Sequence, residues 1–195
     1  MSGGRSIPWL VLAATIVVGA VLQAVSAAPG LGRMPTWLFA VAAAGSVVAL
    51  WLQLVATAWA AAAVTARAPL GRVRGGLWAW AAVAVAATGV VAVVFPLALP
   101  LIAIVMLCVL PGVAAGRSAV SGFAVFARTT WRAVLAVVVA VIAIVVSWVV
   151  ALLAGFFLTG TLGAFAMWLW FGLVGSALLM WWGRLAARTG LTAPR

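Results

Sequence analysis

The chain has 195 residues, 69% hydrophobic and only 6% charged, and all eleven charges are arginines, giving a formal net charge of +11. Asp, Glu, His, Lys, Asn and Tyr do not occur, which removes the side chains that general acid–base catalysis, carboxylate or imidazole metal ligation and Schiff-base chemistry require. Soluble domains average about 25% charged residues, so this composition, with apolar runs of about 18 residues or more, reads as an integral membrane protein.

Six apolar runs follow in chain order: about Ile7 to Ala28, Trp37 to Ala66, Leu77 to Phe95, Leu97 to Ala115, Ala133 to Gly155 and Leu162 to Gly183. Each approaches or exceeds the ~20 residues needed to cross a bilayer core as a helix. The expectation is an all-α, polytopic helix bundle of six transmembrane helices, arranged as three hairpins in a single domain over residues 1–195. The first run, preceded by Arg5 and carrying Val25-Ser26-Ala27, also fits a signal peptide. It is long for such a segment, so a retained first span is expected. The second run is the longest and should tilt or continue past the headgroups toward Arg67. From Leu77 to Ala115 no charge interrupts the chain, and Pro96 and Pro100 divide it into two spans joined by a tight turn. Pro111, followed by Gly112, should kink or end the fourth helix.

The arginines set the orientation, because cytoplasmic loops hold the excess of basic residues. In the six-span arrangement Arg5, Arg67, Arg72, Arg74, Arg117, Arg128, Arg132, Arg184, Arg188 and Arg195 fall on one side, and Arg33 alone on the other. Both termini are then expected in the cytoplasm. Because the arginines fall between apolar runs, the high charge does not indicate nucleic-acid binding, which needs a basic face on a folded surface. Anionic membrane lipids are the expected partners on that side, together with another membrane protein or self-association. The Arg-only, Ala- and Val-rich composition suggests a GC-rich bacterial genome, and hence a bacterial cytoplasmic membrane.

Few residues stand out as candidate sites. At 100° per residue Arg117, Ser121, Arg128 and Arg132 share one face of the linker before the fifth span, opposite Ala119, Phe123, Phe126 and Ala127. Such a helix can lie in the headgroup plane, so Arg117, Arg128 and Arg132 are candidate contacts for lipid headgroups or a partner; the alternative is a linker that only sets topology. Gln53, near the middle of the second span, is the candidate buried polar contact, since an unpaired amide in hydrocarbon is costly. Most of the twelve tryptophans fall near interfaces, but Trp51, Trp148, Trp168 and Trp170 lie deeper, where an indole N–H seeks an acceptor or lines a cavity. Cys108, the only cysteine, is expected to pack as a small apolar residue. Small residues at four-residue spacing, such as Ala42 with Ser46 and Gly172 with Ser176, permit close helix contact.

The three-hairpin layout, with the pattern Arg128-Thr129-Thr130-Trp131-Arg132 before the fifth span, resembles the bacterial six-helix proteins related to the membrane domain attached to some glycerophosphodiester phosphodiesterases. The likeness covers about Trp37 to Arg188. That family's phosphodiesterase activity resides in a separate soluble domain, so no catalytic residue carries over, and the resemblance implies a helical membrane module. The expected function is a non-enzymatic module acting by helix packing, as accessory subunit of a membrane complex or as a self-assembled oligomer. The alternative is the membrane subunit of a transporter or channel for a neutral, anionic or lipid-like solute, without proton coupling of its own. No catalytic, cofactor-binding or metal-binding residue is expected.

Overall fold

The structure, a computed structural model, describes residues 6–27, 35–66, 70–158 and 160–188. Six of its helices are long and apolar enough to cross a membrane. They are α1 (Ile7–Ala27), α2 (Thr36–Ala66), α3 (Gly75–Val94), α4 (Leu99–Ala114), α6 (Thr130–Phe157) and α7 (Gly160–Ala186), with the short α5 (Ala124–Arg128) between α4 and α6. No strand occurs among the described residues. In hydrocarbon each backbone N–H and C=O must be satisfied within the protein, and a helix does so along its own length. At 31 residues, α2 spans about 46 Å and outruns a ~30 Å core. The 16 residues of α4 span only about 24 Å, and a 3-10 turn over Pro96–Ala98 extends them. The two-proline break thus forms a 3-10 turn leading straight into α4.

Arg72, Arg74, Arg117, Arg128, Arg132, Arg184 and Arg188 all lie in connections or terminal turns at one end of the bundle. That end is knitted together. Trp59 donates its indole N–H to the Gly71 carbonyl at 2.9 Å, Arg74 reaches the Gly116 carbonyl at 3.4 Å, and the Phe126 and Trp182 rings lie 5.5 Å apart. Arg5, Arg33, Arg67 and Arg195 lie outside the described residues.

The core occupies the basic half. Leu77 and Ala81 of α3, Leu107 to Leu110 of α4, Ala133 and Ala136 of α6, and Trp182 of α7 pack there with Val55, Ala58 and Ala61 of α2. Against α2 and α7 lies α1, which buries Pro8, Leu12, Ile16, Ala20 and Ala24, one residue per turn.

Pro111 lies inside α4, which runs on for three residues to Ala114, so the helix does not stop at the proline itself. Contrary to expectation, the stretch from Arg117 to Arg132 is not one amphipathic helix: it is a 3-10 turn (Ala119–Phe123), then α5, and Arg132 belongs to the first turns of α6. The cause is docking onto the bundle. Gly122 meets α4 so closely that a Cβ there would overlap the Cys108 carbonyl oxygen, and Val125 is fully buried. A segment held by its backbone against another helix cannot also present a continuous helical face to the headgroups.

Candidate functional site

Two cavities lie end to end along α2, α4 and α7. The first, of about 330 Å³, opens at the basic end and is walled chiefly by alanine and glycine, with Arg117, Ser121 and Thr65 among its lining. On α2 it reaches from Ala66 back to Ala58, eight residues or about 12 Å. The second, of about 420 Å³, is an apolar cleft toward the opposite end, bounded by α2, α3, α4, α6 and α7. Leu179 of α7 lines both. It is buried, and stands between the two spaces as a shared wall.

Local backbone chemistry places Arg117 in the first cavity. The end of α4 is a Schellman turn: the Gly116 N–H bonds the Val113 carbonyl and the Arg117 N–H bonds the Gly112 carbonyl, both at 2.9 Å. Gly116 sits at φ 80°, a conformation that an L side chain adopts only under strain. The turn reverses the chain and leaves Arg117 half-buried beside the end of α2 and the end of α7. Burial lowers its pKa from the ordinary arginine value, but arginine stays protonated in proteins. The rim hydroxyls are already engaged as donors, Thr65 to the Ala61 carbonyl at 2.7 Å and Ser121 to the Ser118 carbonyl at 2.6 Å. The guanidinium is therefore the strong donor that this lining can offer a ligand. Arg128 and Arg132 are exposed and do not line the cavity, so the structure separates the three arginines that the helical-face argument grouped.

The cleft is built differently. Its walls are Leu, Ile, Val, Ala and aromatic groups, with Thr88 and Ser147 as their hydroxyl residues. The Ser147 hydroxyl donates to the Ala143 carbonyl at 2.7 Å and accepts the Trp170 indole N–H at 3.0 Å, so its polarity is spent within the protein. Gly175 lies on the wall with nothing within 4 Å of where a Cβ would stand.

The buried polar contact is at a different glutamine from the one anticipated. Gln23 of α1 is buried and bonds Ser46 of α2 in both directions, its amide N–H to the Ser46 carbonyl at 2.9 Å and its carbonyl accepting the Ser46 hydroxyl. Gln53 instead folds over Gly19, which leaves it space by having no Cβ; its Oε1 is buried without a hydrogen-bond partner among the described residues. A signal for Gln23 existed in its register, since it continues the once-per-turn stripe of Leu12, Ile16 and Ala20 on α1. Of the deeper tryptophans, Trp51 finds the Trp78 carbonyl at 3.0 Å, Trp170 finds Ser147, and Trp148 lines the cleft. Trp182 lies at the basic end as expected and is buried there, its indole N–H without a partner among the described residues.

Among the described residues no cluster of metal-ligating side chains occurs. Comparison with known proteins finds no match to a family model, to a curated protein or to a solved structure.

Proposed function

We propose that this chain is a non-enzymatic membrane module that holds a lipid-like solute in its apolar cleft, as the membrane subunit of a carrier or transporter without proton coupling of its own. The observation that carries the reading is the size and chemistry of the cleft. At about 420 Å³ the cleft falls in the range of small-molecule pockets, roughly 300–1,000 Å³. An alkyl chain needs no hydrogen bond and matches walls of Leu, Ile and Val. The positive-inside rule puts the basic end in the cytoplasm, with both termini there, in a bacterial cytoplasmic membrane. The absence of carboxylate, imidazole and amine side chains from the sequence supports a role without catalysis, and leaves no intramembrane carboxylate for proton coupling.

The test fills the cleft. Gly175→Leu adds a side chain where the wall meets open space, so the fold should survive. Wild-type protein purified in mild detergent should retain lipid at a fixed ratio by native mass spectrometry, and the variant should retain one lipid fewer. Equal retention by a folded Gly175→Leu protein would overturn the reading.

The accessory-subunit reading keeps one observation of its own: Gly45 is exposed on α2 with nothing within 4 Å of a built Cβ, a surface that a second helix could approach closely. A stoichiometric protein lost on Gly45→Leu substitution would favour it.

A further inference from the structure

We infer that the pocket at the basic end is a binding site for one anionic phospholipid, its phosphate held by the Arg117 guanidinium and the start of its apolar body lying against Ala58, Ala61 and Leu179. The argument begins with charge. Arg117 is half-buried at the pocket, yet no side-chain carboxylate exists anywhere in the chain to balance it. A partly desolvated charge is stabilised by an opposing one, and no side chain of this protein can supply it. The guanidinium fork suits a phosphate, which it can grip through two parallel N–H bonds.

The remaining lining selects among phosphates. Among the described residues Arg117 is the charged group that lines the cavity, and the hydroxyls beside it donate to backbone carbonyls, so these side chains would leave most oxygens of a free phosphate ion without donors. Deeper in, the α2 and α7 walls are alanine, glycine and leucine, from Ala62 back to Ala58 and from Gly183 back to Leu179, which an inorganic anion cannot use. An amphiphile uses both parts. Small residues make the space, with Ala62, Gly112, Gly122 and Gly183 all among the lining. The site also lies where the ends of α2 and α7 meet the linker, the level at which headgroups stand if the arginines mark the interface. This inference is independent of the cleft, from which Leu179 divides the pocket.

The experiment titrates detergent-solubilised protein with short-chain phosphatidylglycerol, short-chain phosphatidylcholine or inorganic phosphate, following the melting temperature, which a ligand of the folded state raises. Phosphatidylglycerol should stabilise and the other two should not. Arg117→Gln should weaken that response at least about tenfold, the loss expected for a charge-assisted hydrogen bond. Arg117→Lys should restore part of it. Ala62→Leu should abolish the response with Arg117 in place, whereas Arg132→Gln, which removes an exposed charge, and Gly175→Leu, which fills the other cavity, should leave it intact. An undiminished response in Arg117→Gln or Ala62→Leu would overturn the site, as would equal loss in Arg132→Gln, which would mark a diffuse charge effect. Inorganic phosphate matching phosphatidylglycerol would overturn the lipid in favour of the free ion, and phosphatidylcholine matching it would remove the role of net charge.

Discussion

The two halves of the bundle use the same apolar alphabet and pack in opposite ways. In the basic half α4 buries Leu107, Cys108, Val109, Leu110, Gly112 and Val113, and the linker closes over it through Gly122 and Val125. In the other half the first two turns of α4 bury nothing, α3 buries no residue beyond Ala84, and Val93, Phe156 and Phe157 stand more than 80% exposed. In water such a surface would collapse. In a bilayer it need not, because lipid tails are as apolar as leucine and no hydrophobic force draws the helices together. What holds the basic half is close contact between small residues, a docked backbone and a few hydrogen bonds, and where those end the helices part and a cleft opens.

Substitutions can test that contrast, read by reversible unfolding in mixed micelles with helicity as the signal. The largest effect should come from Trp182→Ala, which empties the most voluminous fully buried side chain of the basic half; about 3–5 kcal/mol of destabilisation is expected. A change below about 1 kcal/mol would mean that this half is no better packed than the other. Next is Gly122→Ala. The added methyl would overlap a backbone carbonyl that cannot rotate away, so the linker must lift from α4 at a cost of about 1–3 kcal/mol. Protease sensitivity or amide exchange across residues 117–128 should rise with it, and unaltered exchange would show that the linker is not docked. Ser46→Ala tests whether polar contacts matter where α1 meets α2. It leaves the buried Gln23 carbonyl short of a donor, for roughly 0.6–1.7 kcal/mol; prior replacement of Gln23 by Leu should cancel most of that cost. The smallest effect belongs to Val93→Ala on the exposed end of α3, expected within about 0.5 kcal/mol. A cost near that of Gly122→Ala would reveal that the open half is covered by something that holds it.

Much of the architecture was legible in the chain. Six spans follow from hydropathy and length, and their boundaries agree with the helices to within a few residues at most ends, because a bilayer imposes one requirement on every span and the residues that meet it are few. The break at Pro96 and Pro100 was legible for a similar reason: proline's missing N–H acts locally. Pro111 was harder to read, since the same missing N–H is tolerated one turn before the helix ends. The site was less legible. Arg117 stands out from its neighbours in the sequence only as one cation among three, and the depth of Gln53 in its span does not reveal that Gln23, in register with the buried stripe of α1, is the amide that finds a partner. Charge balance, span number and the want of reactive side chains are properties of composition, and the sequence by itself determined them. Which amide finds a partner, which arginine faces a cavity and which half of the bundle stays open depend on residues distant in sequence meeting within a few ångströms, as Gln23 does Ser46 and Gly122 does Cys108 of α4. In hydrocarbon, where burial alone confers little, that close fit is the selecting force, and only the tertiary structure decided where it is achieved.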